Sequence, residues 1–489
     1  MEPSANISTK RSLKWNTINY GVNLGLKFLI TVVLQRLLNP SDFGLIASIL
    51  VFTGVAQVIV DNGFQSAIVQ SHKLSEEALS TVFFINVGIG TLCSIALFAL
   101  APIIGDFISG REIVPVTRVL SMVYIVQSVS LVQRALLMRD HAFKTLAMIE
   151  IGASVLAGVT AIFYALQGGG VWSLVIMMLG QAALTSFFLW IQPGAFKPSW
   201  VFEPSAVKDL WKFGSNVFMN GLFIYLNSRI DLLLTGRSMG LGMQGYYSRG
   251  KDYGLLPSGV MVGIVSRSYF PIFSRLHSNE PELRQSYLGA LETMALVAAV
   301  AFPPMYLLVG YVIQWALGDK WNGMIEVTQW FIVLSSLYIF NSINANFLAG
   351  IGKPRNNLII QASTGIVRIT TIFFYFRFAN ELSMTVTVFI LIFFSFIENH
   401  LSFYSVDREK AIGVKNIFRH SYLILMPAWL LAFSIEFLLR PLLECIFPQL
   451  VVVLIITTVF LGLLYCFFRF MRIKTPILPL GIWLFRKKG

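Results

Sequence analysis

The chain has 489 residues, 56% of them hydrophobic and only 12% charged, with a mean hydropathy of +0.72. A soluble globular domain is about 45–50% apolar and about a quarter charged, so the composition excludes that class. The formal charge of +13 does not signal nucleic acid: no basic segment is long enough to track a phosphate backbone, and the cations punctuate apolar blocks as topology signals do.

Those blocks are about 20 residues long, the length that crosses a hydrocarbon core as helix. The expected fold class is an all-α polytopic membrane protein with about fourteen transmembrane helices. The spans fall near 15–38, 43–69, 78–101, 113–137, 143–166, 170–192, 209–236, 241–272, 285–310, 323–349, 356–377, 383–405, 417–440 and 447–470. The runs are continuous, whereas barrel strands alternate over about ten residues. The first run is long and lacks a small-residue cleavage site, so it reads as an uncleaved span and not a signal peptide.

The first hairpin sets the pattern. Lys27 lies in an apolar run that breaks at Arg36-Leu-Leu-Asn-Pro-Ser-Asp-Phe-Gly44 and re-enters a run that meets Asp61. A degraded copy follows, with Arg229 and Asp231 in an apolar run, Arg237 before the break and Gly245 after it, at the spacing of Arg36 and Gly44. Val116-Thr117-Arg118 similarly aligns with Val327-Thr328-Gln329. Spans one to six and seven to twelve therefore read as parallel repeats about an axis along the membrane normal. This places two pseudo-symmetric six-helix lobes at 1–200 and 201–406, and an appended transmembrane hairpin with a basic cytoplasmic tail at 407–489.

Between these landmarks, Gln167-Gly168-Gly169-Gly170 is an expected tight turn, and Gly350–Arg355 a helix stop followed by a basic turn. Pro257, Pro271, Pro303, Pro304 and Pro427 are expected to interrupt spans. Gly21–Gly25 and Gly259–Gly263 have the spacing that lets helices approach closely. Cys93, Cys445 and Cys466 read as small buried hydrophobes. With both termini inside, cytoplasmic segments collect nearly all Lys and Arg, and the outside keeps Arg36, Arg111, Arg237, Lys320, Arg377 and Arg440. That asymmetry follows the positive-inside rule and needs an even number of spans.

Ionisable residues inside spans cost roughly 2.5–3.5 kcal/mol each at the bilayer centre and normally face a bundle interior or a water cavity. Snorkelling accounts for Arg134 and Arg267 near cytoplasmic ends and for Glu326 near the outside. Spans seven and eight are harder to dismiss. Arg229 and Arg249 lie at similar depth, and Arg249 and Asp252 share a face. Pairing as Arg229–Asp231 or Arg249–Asp252 still leaves one cation of the cluster, which includes Lys251, uncompensated. The repeat puts Lys27 beside the level of Arg229. Lys27, Arg229, Arg249 and Lys251 are thus the candidate cavity cations, and Arg36, Arg118, Arg237 and Arg368 are assigned to the rim. Tryptophans and tyrosines near span ends, such as Trp15, Trp315 and Tyr246, fit interfacial anchoring.

No G-x-x-x-x-G-K-[ST] loop, HExxH or zinc-spaced Cys/His cluster is present, so no metal site is expected. Glu398-Asn399-His400 reads as a polar helix end. With short loops there is nowhere to build an extramembrane active site, and the chain is expected not to be an enzyme.

The 36–44 stretch, followed by Asp61-Asn-Gly-Phe-Gln-Ser-Ala-Ile-Val-Gln70, resembles the N-terminal signature of bacterial polysaccharide-transport flippases. Gly245-Tyr-Tyr-Ser-Arg249, Ser268-Tyr-Phe-Pro-Ile-Phe-Ser274 and Gly318-Asp-Lys-Trp-Asn322 resemble the matching C-half regions. The similarity is to the O-antigen and exopolysaccharide group, nearest the colanic-acid-exporter-like proteins, of the multidrug/oligosaccharidyl-lipid/polysaccharide exporter superfamily. It implies a secondary-active flippase moving an undecaprenyl-diphosphate-linked oligosaccharide across the bacterial cytoplasmic membrane by alternating access through a cationic cavity. It implies no cofactor beyond proton or sodium coupling, for which Asp61, Asp231 and Asp252 are the candidates. Expected partners are the lipid-linked oligosaccharide, membrane lipids, a polysaccharide polymerase and the export machinery; the chain itself is expected to be a monomer. The rival readings are a drug/cation antiporter of the same superfamily, which predicts an acidic centre, and a membrane polymerase or ligase, which predicts a large outer loop.

Overall fold

The computed structural model describes residues 21–470 other than 24, 62, 63, 72–74, 109, 111, 202, 380 and 447, with the backbone alone at 61, 204–217, 219, 220, 450 and 470. The expected start of the first span, Trp15, Lys73, Arg111 and the basic C-terminal tail lie outside the described residues.

Among those residues every regular element is helical. The N-terminal part comprises α1 (25–37), α2 (Pro40–Asp61), α3 (Phe64–Gln70), α4 (Glu76–Ile108), α5 (Ile113–Arg139), α6 (Phe143–Leu166), α7 (Val171–Ile191) and α8 (Pro204–Met239). It is followed by α9 (Leu241–Leu276), α10 (Glu280–Leu317), a 3-10 turn, α11 (Ile325–Gly350), α12 (Pro354–Phe378) and α13 (Met384–Lys410). The last part has α14 (Val414–His420), α15 (Tyr422–Ser434), a π turn (Ile435–Leu439), α16 (Arg440–Glu444) and α17 (Gln449–Phe470).

Among the described residues 12 stretches are long and apolar enough to cross a membrane. The two remaining expected spans are also helical: the first begins outside the described residues, and α8 carries Arg229, Asp231 and Arg237 within its length.

Contacts divide the chain into two compact units, Met1–Gly245 and Tyr246–Gly489. In the first, α4 packs on α5, α5 on α7, α6 on α7, and α8 on α2. In the second, α10 packs on α11, α11 on α13 and α12 on α13. The α4–α5, α5–α7 and α6–α7 packings of the first unit thus recur as α10–α11, α11–α13 and α12–α13 in the second. The appended α14, α15 and α17 all pack on α10, inside an apolar core built around Tyr287, Phe302, Phe340, Phe347 and Trp429.

Local chemistry explains the turns. Pro40 supplies the preset φ of the first turn of α2, and the Asp42 carboxylate accepts the Asn39 N–H at 2.9 Å, one half of a capping box. Gly168 and Gly170 have φ of 83° and 52° in the expected tight turn, and Gly352 has φ of 77° after α11.

The span prolines lie within helices, Pro257 and Pro271 in α9, Pro303 and Pro304 in α10, and Pro427 in α15, and two other expectations, on the glycines and the cysteines, need correction. The disturbance is local, since the N–H after Pro257 donates to Ser335 Oγ at 3.1 Å and a neighbouring helix supplies the partner. Among the described residues nothing lies within 4 Å of a Cβ built on Gly21, Gly25, Gly259 or Gly263, and close approaches occur at Gly44, Gly54, Gly245 and Gly254. Cys445, in the turn after α16, and Cys466, on α17, are exposed and not buried.

Candidate functional site

The first unit carries an open-mouthed cavity of about 570 Å³, within the roughly 300–1,000 Å³ range of ligand pockets. Two helices build its walls with stripes at helical spacing. From α5 come Val123, Gln127, Ser130, Leu131 and Arg134, and from α7 come Met178, Gln181, Ala182, Thr185 and Leu189. Both sets repeat every third or fourth residue, which aims them at one side of each helix. Lys27 and Asn23 add an i, i+4 pair, Gln57 and Gln65 come from α2 and α3, and Glu150 comes from α6.

Arg134 and Glu150 form an ion pair across the cavity wall, with side chains 45% and 18% exposed. The α5–α6 turn places them at comparable depth. The amides are oriented by the protein. Gln181 Nε2 donates to Ser154 Oγ at 3.0 Å, and Gln65 Nε2 faces Met138 Sδ at 3.1 Å. Gln127 Oε1 is buried without a hydrogen-bond partner. Ser130 Oγ donates to the Gln127 backbone carbonyl at 3.0 Å. The charged lining residues are Lys27, Arg134 and Glu150, a net single positive charge among polar amides and aliphatic faces. Such a lining can hold a polar, singly anionic group, and it presents no activated nucleophile.

Of the expected cavity cations, only Lys27 lines this space. Arg229 sits one turn beyond Tyr225, whose hydroxyl donates to the Leu50 carbonyl at 2.5 Å and pins α8 to α2. Arg249 pairs with Asp252 at 2.7 Å, with side chains 20% and 44% exposed. Lys251 is half-buried. Asp231 is buried, and its carbonyl accepts the Thr235 hydroxyl. Asp61 closes α2, and its side chain lies outside the described residues.

The four expected rim residues differ in setting. Arg36 is exposed. Arg118 stands over the Phe98 ring at 4.9 Å and Arg237 over Phe107 at 4.2 Å, which screens each cation with a ring face. Arg368 is buried, within electrostatic reach of Glu398, and does not lie at an exposed rim. Glu398, Asn399 and His400 turn to different partners: Arg368, the Leu337 carbonyl and the Tyr422 ring. Among the described residues no group of His, Cys, Asp and Glu is placed to hold a metal.

Arg134 is the residue that sequence reasoning placed differently, as a snorkelling cation. The amides Gln57, Gln65, Gln127 and Gln181 went unremarked because uncharged residues raise no cost alarm. The usable signal was their helical spacing within apolar spans.

Comparison with known proteins adds the following. Residues 33–326 match a family described as "Polysaccharide biosynthesis protein". The chain is 26% identical over 352 residues to the lipopolysaccharide biosynthesis protein WzxC of Escherichia coli (strain K12), covering 71% of this chain and 68% of that one. It is 24% identical over 372 residues to the teichuronic acid biosynthesis protein TuaB of Bacillus subtilis (strain 168), covering 75% of each. Its fold is similar to that of the lipid II flippase MurJ in an inward closed conformation, with a TM-score of 0.71 at 14% identity, over 93% of this chain and 99% of that one.

Proposed function

The chain belongs to the polysaccharide biosynthesis protein family, and on that footing we propose that it is a secondary-active flippase. Its substrate is an undecaprenyl-diphosphate-linked oligosaccharide repeat unit, carried across the bacterial cytoplasmic membrane by alternating access for export of a cell-surface polysaccharide. The observation that carries this reading is the polar, net-cationic cavity built by helices that are otherwise lipid-soluble. Water and charge inside such a unit are costly unless something polar passes through it.

In this reading Lys27, Arg229, Arg249 and Lys251 are the candidate cations for the anionic headgroup. Single cations in a hydrated space suit transport, since binding must be weak enough for release. Asp61, Asp231 and Asp252 are the proposed carriers of coupling to a proton or sodium gradient. Both termini face the cytoplasm, the chain works as a monomer, and it hands its cargo to a polymerase and export machinery. It catalyses no covalent step.

The test is to delete the gene and locate the lipid-linked repeat unit. Accumulation on the inner leaflet is expected. Accumulation on the outer leaflet overturns the flippase reading and assigns a later step.

A further inference from the structure

The end of the second unit where α12 begins and α13 closes carries cations that the fold does not use. We propose that this corner is a binding shelf for the anionic headgroup of a membrane phospholipid, whose acyl chains lie along the apolar helix faces that the same cations head. The shelf stands independently of the flippase reading.

The corner is held by ties that consume its carboxylates. Asp407 Oδ1 accepts the Gly413 N–H at 2.6 Å and folds the chain back between α13 and α14. Positive φ values of 46° at Ala411 and 92° at Gly413 make that reversal. Glu409 takes Lys353 at 3.7 Å and the Asn356 amide at 3.0 Å, which fixes the start of α12 against the end of α13. Glu280, in the first turn of α10, takes Lys410 at 3.2 Å, and Arg284 donates to the Lys410 carbonyl at 2.9 Å.

Four cations are left over. Arg355, Arg408, Lys415 and Arg419 are exposed, and none of them makes an ion pair among the described residues. Lys415 and Arg419 lie i, i+4 on α14, about 6 Å of helix apart on one side. Arg355 adjoins the Asn356 that bonds Glu409, and Arg408 adjoins Glu409 itself, so both belong to the α12–α13 tie. Glu282, exposed in the first turn of α10, offsets one charge at most. Like charges fixed on one corner raise one another's energy, and a bound anion relieves it.

The apolar neighbours identify what carries the anion. On α13, Leu401, Tyr404 and Arg408 follow at intervals of three and four residues, so one exposed face runs from apolar to cationic. On α12, Arg355 heads the exposed Leu358 and Ile359 in the same way. On α14, Val414 and Phe418 are exposed beside Lys415 and Arg419, while Ile417 is buried in the core. A soluble phosphate or an acidic peptide matches only the charges. A phospholipid matches both halves.

The test uses the full-length protein in dodecyl maltoside and ammonium acetate, titrated with phosphatidylglycerol or phosphatidylcholine and followed by native mass spectrometry. Phosphatidylglycerol is expected to bind about tenfold more tightly. The preference should fade between about 0.1 M and about 1 M salt, as the Debye length falls from about 10 Å to about 3 Å. Lys415→Gln/Arg419→Gln and Arg355→Gln/Arg408→Gln should each cut it about threefold or more. Lys144→Gln/Lys197→Gln, which removes the same charge from exposed positions of the first unit, should leave it in place. All six positions are exposed, and thermal unfolding checks that each variant is folded.

Four results overturn the proposal. One is equal binding of the two lipids. Another is an equal loss in the Lys144/Lys197 variant, which reduces the effect to net charge. A third is glycerophosphoglycerol competing as strongly as the whole lipid, which makes the corner a soluble phosphate site. The last is a glutamate-rich peptide that binds there more tightly than phosphatidylglycerol, which makes it a protein-docking surface.

Discussion

Gly44 and Gly245 meet backbone to backbone, and their contact is reciprocal. A Cβ on Gly44 would run into the Leu241 carbonyl and lie 2.8 Å from the Gly245 nitrogen, while a Cβ on Gly245 would run into the Pro40 carbonyl. The same interval of 201 positions separates Pro40 from Leu241 and Gly44 from Gly245. Equivalent positions of the two turn motifs thus face each other, and each motif needs its glycine because the other's main chain occupies the space.

Gly44→Ala and Gly245→Ala should each be destabilising by about 1–3 kcal/mol or more, because the obstructing atoms are backbone and cannot rotate away. Gly259→Ala, in open space, is the matched control and should be near neutral. Thermal midpoints in detergent compare the three, and an unchanged midpoint for Gly44→Ala would show that the crossing is looser than described.

Arg134 and Glu150 should behave as one unit. Glu150, the less exposed partner, should tolerate replacement by Gln less well than Arg134 does. The double variant Arg134→Gln/Glu150→Gln should be more stable than the sum of the singles predicts, by about 1 kcal/mol or less for so open a pair. Additive effects in a double-mutant cycle on unfolding would remove the pair from the account.

Replacing Arg229 and Arg249 by Gln should lower polysaccharide export about tenfold or more and leave membrane insertion intact. Normal export by Arg229→Gln/Arg249→Gln would sink their assignment to the substrate path. Arg249→Gln alone should cost little stability, because the Asp252 it abandons is 44% exposed and stays hydrated.

Arg440 adds a polar tie between the appended helices and α10. Arg440 bridges Glu436 at 2.5 Å and Glu444 at 2.9 Å and stands over the Tyr311 ring at 4.8 Å, while Tyr311 donates to Glu444 at 2.7 Å. Arg440→Met should destabilise the protein by about 3 kcal/mol, leaving two carboxylates without their cation. Limited proteolysis should then cut first in the 411–448 region. A protease pattern like that of the parent protein would mean that apolar packing of Trp429 and its neighbours suffices.

Much was legible in the chain because membrane sequence is a simple code. Hydrophobic length placed a helix at each of the fourteen expected spans, since in lipid every backbone group must be satisfied within its own helix. The turn motif at 36–44 was legible as a motif, but not its reason. Asn39, Pro40 and Asp42 are there to start α2, and Gly44 is there for the crossing with Gly245, so the most recognisable stretch carries architecture and not ligand chemistry.

Composition and period thus determined, by themselves, that the protein is a helical membrane bundle and where each helix lies, because those properties depend on each segment's own exchange with lipid. Which polar residues share a space was decided by tertiary structure alone. Lys27, Gln127, Arg134, Glu150 and Gln181 come from four helices, and the rotation of one helix against another is set by packing, which no single segment records. For the same reason Arg134 looked like a lone cation until α6 put Glu150 beside it.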